Sequence, residues 1–528
     1  MRRMTLTCTL LLLACGSDDA GTPGASGSET DSTSATDPTS GPGTATMGVT
    51  TPTSTSPDTT TTTTTDPDSS GPSPADESST TDTNSGPPTL HVIHAASDVG
   101  TIDLYFAGDA NPIAPTLGYG ASADVGELPP GDYVLEARLG GAPSADPPLS
   151  STSLTIGDHT QAVAVAAGTL DDDPAVAFRI VALTEAFATP AAGTARVRLV
   201  HAGTDAGDLA IDVDADGDPE IAALQRFAAS APDGIAVPAG VAFTLVVHEG
   251  EQTLSQFTLP ALTDGATAIV TATGRISSLP RQPDGFALLS VTGGDEAVRT
   301  AQDPRIHLLH AHPERGTITA CVGDRKLAGG LTWLDTTEAI AAFQLEPGNH
   351  PLTLREDAVD CSGAIVQGPE QTGVLVAGEQ YLAAFGTSTP DDSQLVFAPE
   401  AFSLDAAPQA AVRFVNASNR ATAGLGTIDG AFLIEDLLFP ITPTGGVTDE
   451  VVIDSGSQVL SVSSAAGEGS PSVGLEQFDL PTGARMWFVL TGDGTLIDGV
   501  PDNLHARIVD TSEHPAPWIV TTQVLTAP

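Results

Sequence analysis

Four carboxylates alternate in Asp212-Val213-Asp214-Ala215-Asp216-Gly217-Asp218. Acids at the first, third, fifth and seventh positions, with glycine at the sixth, form the opening half of a calcium loop, because a hard cation gathers several oxygen donors at once. Asp212, Asp214, Asp216 and Asp218 would be the ligands, and calcium is the one cofactor the sequence suggests. The twelfth position, where a bidentate Glu belongs, holds Ala223, and Glu220 would replace it only in part. The repeat pattern below also puts the segment between strands, not helices. An acidic hairpin turn is the competing reading.

Three histidines form a second candidate set: His94, His201 and His310, each followed by Ala. Imidazole is a common metal ligand, but the three fall in separate repeats and share no metal unless those repeats fold together. The alternative is a histidine at the end of an edge strand, bonded to a neighbouring loop. His310 and His312 should face one side of a strand and would hold zinc with a further ligand, whereas His91 and His94 should face opposite sides. The chain has no serine nucleophile elbow, no His-Glu-x-x-His, no phosphate loop and no dinucleotide fingerprint. We therefore expect a non-enzymatic protein, with a secreted hydrolase as a remote alternative.

The cysteines divide by position. Arg2 and Arg3 precede an apolar stretch, Leu6 to Ala14, that is too short to span a bilayer. It ends in Leu12-Leu13-Ala14-Cys15-Gly16, which resembles the bacterial lipobox. Residues 1–14 then form a lipoprotein signal peptide, and Cys15 carries the lipid that holds the chain to a membrane. The alternative is an ordinary secretory signal with an incidental cysteine. Gly16, in place of Asp, implies the outer membrane, with surface exposure expected over a periplasmic position. No other stretch approaches 18 apolar residues. Cys321 and Cys361 remain, and in an oxidising compartment we expect them to pair; two buried free thiols are the alternative.

Residues 15–88 are rich in Ser, Thr, Pro, Gly and Asp, with seven consecutive threonines from Thr59 to Thr65 and no Lys, Arg or aromatic residue. Such a segment cannot bury enough apolar surface to offset its chain entropy, so we read it as a disordered spacer. As a flexible coil it spans about 45–50 Å.

The elements that would position these residues repeat four times. Val92-Ile93-His94-Ala95-Ala96 returns as Leu199-Val200-His201-Ala202-Gly203, Leu308-Leu309-His310-Ala311-His312 and Phe414-Val415-Asn416-Ala417-Ser418, at steps of 107, 109 and 106 residues. Periods this long are whole domains, not solenoid units. We expect domains at 89–190, 194–298, 304–404 and 410–528, the last divergent. Each reads as about seven strands, seen in the first unit as alternation over Leu90–His94, Ile102–Phe106, Tyr133–Leu139, Ser151–Ile156, Gln161–Ala166 and Ala177–Leu183. Two turn glycines recur, Gly131 as Gly240, Gly348 and Gly456, and Gly157 as Gly265, Gly378 and Gly483. A short helix is expected near Thr332–Phe343. The fold class is all-β: four tandem immunoglobulin-like antiparallel β-sandwiches after a disordered N-terminal spacer.

A strand ending in His-Ala, a small polar loop, then a strand such as Ile102-Asp103-Leu104-Tyr105-Phe106 or Leu209-Ala210-Ile211-Asp212-Val213 resembles the domain-of-unknown-function 4397 family of secreted and surface bacterial proteins. The resemblance spans nearly all of 89–528 and is weakest in the fourth repeat, where Asn416 replaces the histidine. It implies an extracellular β-sandwich in a Gram-negative, myxobacterial-like lipoprotein and supplies no catalytic residues.

The net charge is −48, from 67 acids and 19 bases. Without the 11 acids of the spacer and Arg2/Arg3, 56 acids and 17 bases leave −39. Such a field repels nucleic acid and anionic lipid surfaces. Trp333, Trp487 and Trp518 are the only tryptophans; Trp487 reads as core and Trp333 as a candidate exposed platform. The expected function is multivalent binding or adhesion by a surface lipoprotein, with a glycan or a surface protein as ligand. A passive envelope scaffold is the alternative.

Overall fold

The computed structural model describes residues 87–524 apart from 172, 294–295, 314, 334–339, 357–358, 387–392, 404–407, 418–423, 429–430, 438–445, 465–471, 492–494, 498–499 and 503–504. The signal peptide 1–14, Cys15 and the spacer up to residue 86 lie outside the described residues.

Runs rich in Val, Ile, Leu and Thr, cut by Gly, Pro and Asp, make the chain all-β. The first repeat has eight strands: β1 (Thr89–His94), β2 (Thr101–Phe106), β3 (Ala114–Gly118), β4 (Ser122–Glu127), β5 (Gly131–Leu139), β6 (Ser150–Ile156), β7 (Gln161–Ala167) and β8 (Arg179–Glu185). They form two sheets, ordered β4-β1-β7-β8 and β3-β2-β5-β6. The same two orders recur in the other three repeats, with one strand added at the β8 edge in the second (Val298–Ala301) and fourth (Ile519–Val524). Tandem β-sandwiches are thus the architecture, with two departures from expectation. There are eight strands, not seven, because β3 and β4 are largely half-buried or exposed, so they carry little apolar periodicity. Pairing is antiparallel except between β1 and β7, which run parallel with Thr89 opposite Gln161 and His94 opposite Ala166. The parallel pair recurs in each repeat.

The expected helix near Thr332–Phe343 is absent among the described residues: Ile340–Gln344 is a strand, and 334–339 lie outside the description. No helix among the described residues is long and apolar enough to cross a membrane.

β1 and β7 are buried along nearly their whole length, because both faces of their sheet are covered. Leu90 and Val92 point into the first repeat's own core with Ile102, Leu104 and Leu135. Ile93, Val163, Val165 and Ala167 point the other way and pack on Val200, Ile269, Leu289 and Val291 of the second repeat. Burial on both faces replaces alternation by continuous apolar runs. The third and fourth repeats pair through the same sheet, with Leu309, Leu382 and Val396 against Val415, Trp487 and Val489.

The two pairs share polar contacts at matched positions. The Thr273 hydroxyl donates to the Ala95 carbonyl (2.6 Å), and the Thr491 hydroxyl to the Ala311 carbonyl. Arg198 donates to the carbonyls of Thr184 (2.8 Å) and Ser230 (3.3 Å). Arg413 does the same to Pro399 (2.7 Å) and Thr448 (3.1 Å). The structural unit that repeats is therefore a pair of sandwiches, and all four belong to one compact unit, Thr80–Pro528.

The pairs meet at two buried carboxylates. Asp303 accepts from the Gln256 amide (2.8 Å) and from the Thr258 backbone (2.8 Å) and hydroxyl (2.9 Å). Glu400 pairs with Arg281 of the second repeat and, at 3.7 Å, with Arg485 of the fourth.

Candidate binding site

Asp212 ends a strand, and its carboxylate is buried and occupied. One oxygen accepts the N–H groups of Asp214 (3.2 Å) and Ala215 (2.7 Å), the other that of Gly217 (2.8 Å). Glu220 closes the same loop by accepting from Val213 N–H (2.7 Å). Oxygens of Asp212, Asp214 and Asp216 do come within 4.8 Å of one another, while Asp218 stands outside that group. Desolvation and the adjacent Asp216 raise the Asp214 carboxyl above its usual range. Asp103 lies in the second strand of the first repeat, at the place of Ala210 and not of Asp212, and accepts from Thr116 N–H (2.6 Å) and Gly141 N–H (2.8 Å). In the second repeat the buried Asp212 organises the loop after the second strand.

The histidines do parallel work. His94 Nδ1 accepts the Ala96 N–H (3.3 Å), and its Nε2 lies 3.1 Å from the carbonyls of Val99 and Gly100. His201 bridges Gly203 N–H (3.2 Å) and the Gly207 carbonyl (2.8 Å), and His310 bridges His312 N–H (3.2 Å) and the Gly316 carbonyl (2.8 Å). An Nδ1 that accepts leaves the proton on Nε2, so both nitrogens are committed. The strand is interior, with partners on both sides, not an edge strand as expected; its histidine fastens the following loop. Burial pushes His310 down to about 4 and lowers His94 and His201 as well. His310 and His312 share one side, their rings 5.6 and 5.2 Å from Phe385.

Cys321 and Cys361 are joined, with Cα atoms 6.0 Å apart. Trp487 is core, Trp518 stacks on His307 at 3.6 Å, and Trp333 is half-buried, edge-on to His505.

A concave feature lies where the first and second repeats part. At the starts of β1 and β7 the paired sheet faces change from apolar to polar: Ile93 and Val163 give way to His91, Asp124, Gln161 and Glu185, opposite Thr267. A cavity of about 150 Å³ opens there. It adjoins a cleft of about 550 Å³ lined by Asp158, His159, Gln161, Glu185, Phe187 and Thr267, among others. This volume is in the range of small-ligand sites. Register explains the polar cluster, since Thr89 pairs with Gln161, Gln161 with Glu185, and His91 with Asp124. Burial raises the Glu185 carboxyl, and Arg198 partly offsets the rise. The rim offers carboxylate, amide, hydroxyl and imidazole groups beside the half-buried Phe187 ring.

The other pair closes the same corner. His307 and Gln380 are the counterparts of His91 and Gln161, and they bond to each other (3.2 Å) under the Trp518 ring. Reading the sequence by single repeats missed this corner. The available signal was the residue three before the strand-end position, which alternates His91, Arg198, His307, Arg413.

No curated protein matches the sequence. Three solved structures are similar at 10–11% identity. The Bacillus anthracis TIE protein shares 74% of this chain, which spans 66% of that protein, with a TM-score of 0.13. Two proteins provisionally assigned to cell adhesion, from Bacteroides ovatus and Bacteroides eggerthii, each share 65% of this chain and 98% and 99% of their own, with TM-scores of 0.10 and 0.12. The family resemblance expected over nearly all of 89–528 is matched over the first repeat and the opening strands of the second: residues 88–213 contain a domain of unknown function of the DUF4397 family.

Proposed function

We propose that this is a non-enzymatic surface protein, held to the outer membrane through a lipid on Cys15, that binds a hydroxyl-rich ligand in the cleft between its first and second repeats. The ligand class is a glycan, free or carried by another surface protein. The observation that carries this reading is the cleft itself: polar side chains and one aromatic ring line an opening at a corner that the other pair fills with His307 and Trp518. Carboxylates and amides suit sugar hydroxyls, and a ring face suits the apolar side of a pyranose. The matching corner of the other pair is filled, so multivalency comes from many anchored chains on one surface, where weak contacts multiply.

The test is a glycan array probed with the soluble chain from residue 16, followed by Gln161→Ala/Phe187→Ala. Selective binding that the double variant weakens at least about tenfold supports the cleft. Binding unaffected by the double variant, or none, leaves the passive scaffold. The Glu400 network favours that second reading, since it ties three repeats together through the chain's own side chains.

A further inference from the structure

The strand His505–Asp510 has two faces. Ala506 and Ile508 enter the core of the fourth repeat, whereas Val509 joins the interface with the third repeat. Arg507 lies on that interface side with no exposed surface. Its Nε, Nη1 and Nη2 have no acceptor among the described residues, and no carboxylate among them pairs with it. Burial holds the guanidinium down to about 10, so it remains charged at neutral pH.

Its neighbours are also donors. Register places Arg507 opposite Val489 and His505 opposite Thr491. The Thr491 hydroxyl reaches the Ala311 carbonyl, between His310 and His312. Trp487, two residues before Val489, has a buried indole N–H without an acceptor, and so does Trp333, whose ring meets His505 edge-on at 5.3 Å. A buried, unpaired guanidinium is costly, and so is each unsatisfied N–H.

The first pair of repeats supplies an internal control. There Leu289 opposes Thr271 and Ala287 opposes Thr273, the places of Arg507 and His505, while Ala96 stands where the third repeat has His312. Leu289 is fully buried in an apolar contact. One location in the same fold is therefore packed with hydrocarbon in one pair and crowded with donors in the other.

We propose that the interface between the third and fourth repeats binds a small oxyanion, with the Arg507 fork as its bidentate partner. A guanidinium matches two oxygens of a phosphate, sulfate or carboxylate. Arg507 has no exposed surface, so its partner must be small. A metal cation does not suit the spot, because Arg507 repels it and His310 has both nitrogens committed.

The experiment titrates the full chain with inorganic phosphate, sulfate and acetate, each at constant ionic strength, by calorimetry and thermal unfolding. Saturable one-to-one binding of at least one of these, with a Tm that rises with its concentration, is expected. Phosphate or sulfate would mark a tetrahedral ion, and acetate a carboxylate. Arg507→Leu, which installs the residue of the other pair, should weaken binding at least about tenfold. Should that variant fail to fold, Arg507→Lys keeps the charge and loses the fork, and should also weaken binding. Absence of saturable binding by the unaltered chain, or unchanged affinity in the variants, overturns the proposal.

Discussion

Glu400 is the residue whose loss should do most to separate the two pairs. It is 1% exposed, ends the third repeat, and faces Arg281 from the second and Arg485 from the fourth. At 3.7 Å and an effective dielectric near 20, the Arg485 attraction alone is about 4 kcal/mol before desolvation. Burial opposes it and holds the Glu400 carboxyl above its usual range despite the two cations. Glu400→Ala removes the anion and leaves two enclosed guanidiniums facing each other, a change that costs about 3–5 kcal/mol. If each pair of repeats unfolds as a unit, that is a fall in Tm of about 10 °C. Differential scanning calorimetry should show it, with the transition broadening or splitting as the pairs uncouple. Glu400→Gln, which keeps the shape and one acceptor, should cost less. A Glu400→Ala thermogram within about 1 °C of the unaltered chain would refute the coupling.

Four other outcomes follow from the same contacts. His307 and His310 are pushed down to about 3 and about 4, below the ordinary 6.5 of an unfolded chain. Their contribution is complete above pH 6.5 and is lost as pH falls toward those values, about 2 kcal/mol each by pH 5. Glu400 and Asp303, raised by burial, work in the opposite direction, so the clean measurement compares urea unfolding of His307→Phe with the unaltered chain at pH 7 and 5; an identical pH slope would contradict the assignment. Cys321→Ala opens a loop of 40 residues and should cost about 4 kcal/mol, with a linked peptide pair seen by mass spectrometry of the unreduced chain. Asp212→Ala leaves three N–H groups without their acceptor and should destabilise the second repeat by about 2–4 kcal/mol, with or without added calcium. Thr491→Val should cost about 1–2 kcal/mol by stranding the Ala311 carbonyl, measurable by the same unfolding assay.

The repeat was legible because each copy needs the same local devices. Gly240, Gly348, Gly456, Gly265, Gly378 and Gly483 all have positive φ, the conformation expected of the turn glycines. Gly131 and Gly157 do not, and in the first repeat His159 takes the positive φ of the second turn instead, at 58°. Continuous burial of β7 was not anticipated, since a short run such as Gln161–Ala167 gives no sign of what covers its second face. The parallel β1–β7 pair, the face-to-face pairing and the Arg281–Glu400–Arg485 cluster join residues 70–200 positions apart, where composition and turn chemistry carry no information. For the candidate site, the individual residues were visible and their convergence was not: Gln161 and Glu185 meet only because β7 and β8 pair, and Thr267 joins them only because two sheets pack.

The most direct test of surface display is protease treatment of intact cells, following the full-length chain beside a periplasmic control protein. Surface display predicts rapid loss of the full-length chain through cleavage of the 15–88 spacer while the control survives. A chain that persists until the outer membrane is broken lies in the periplasm, which would contradict surface binding.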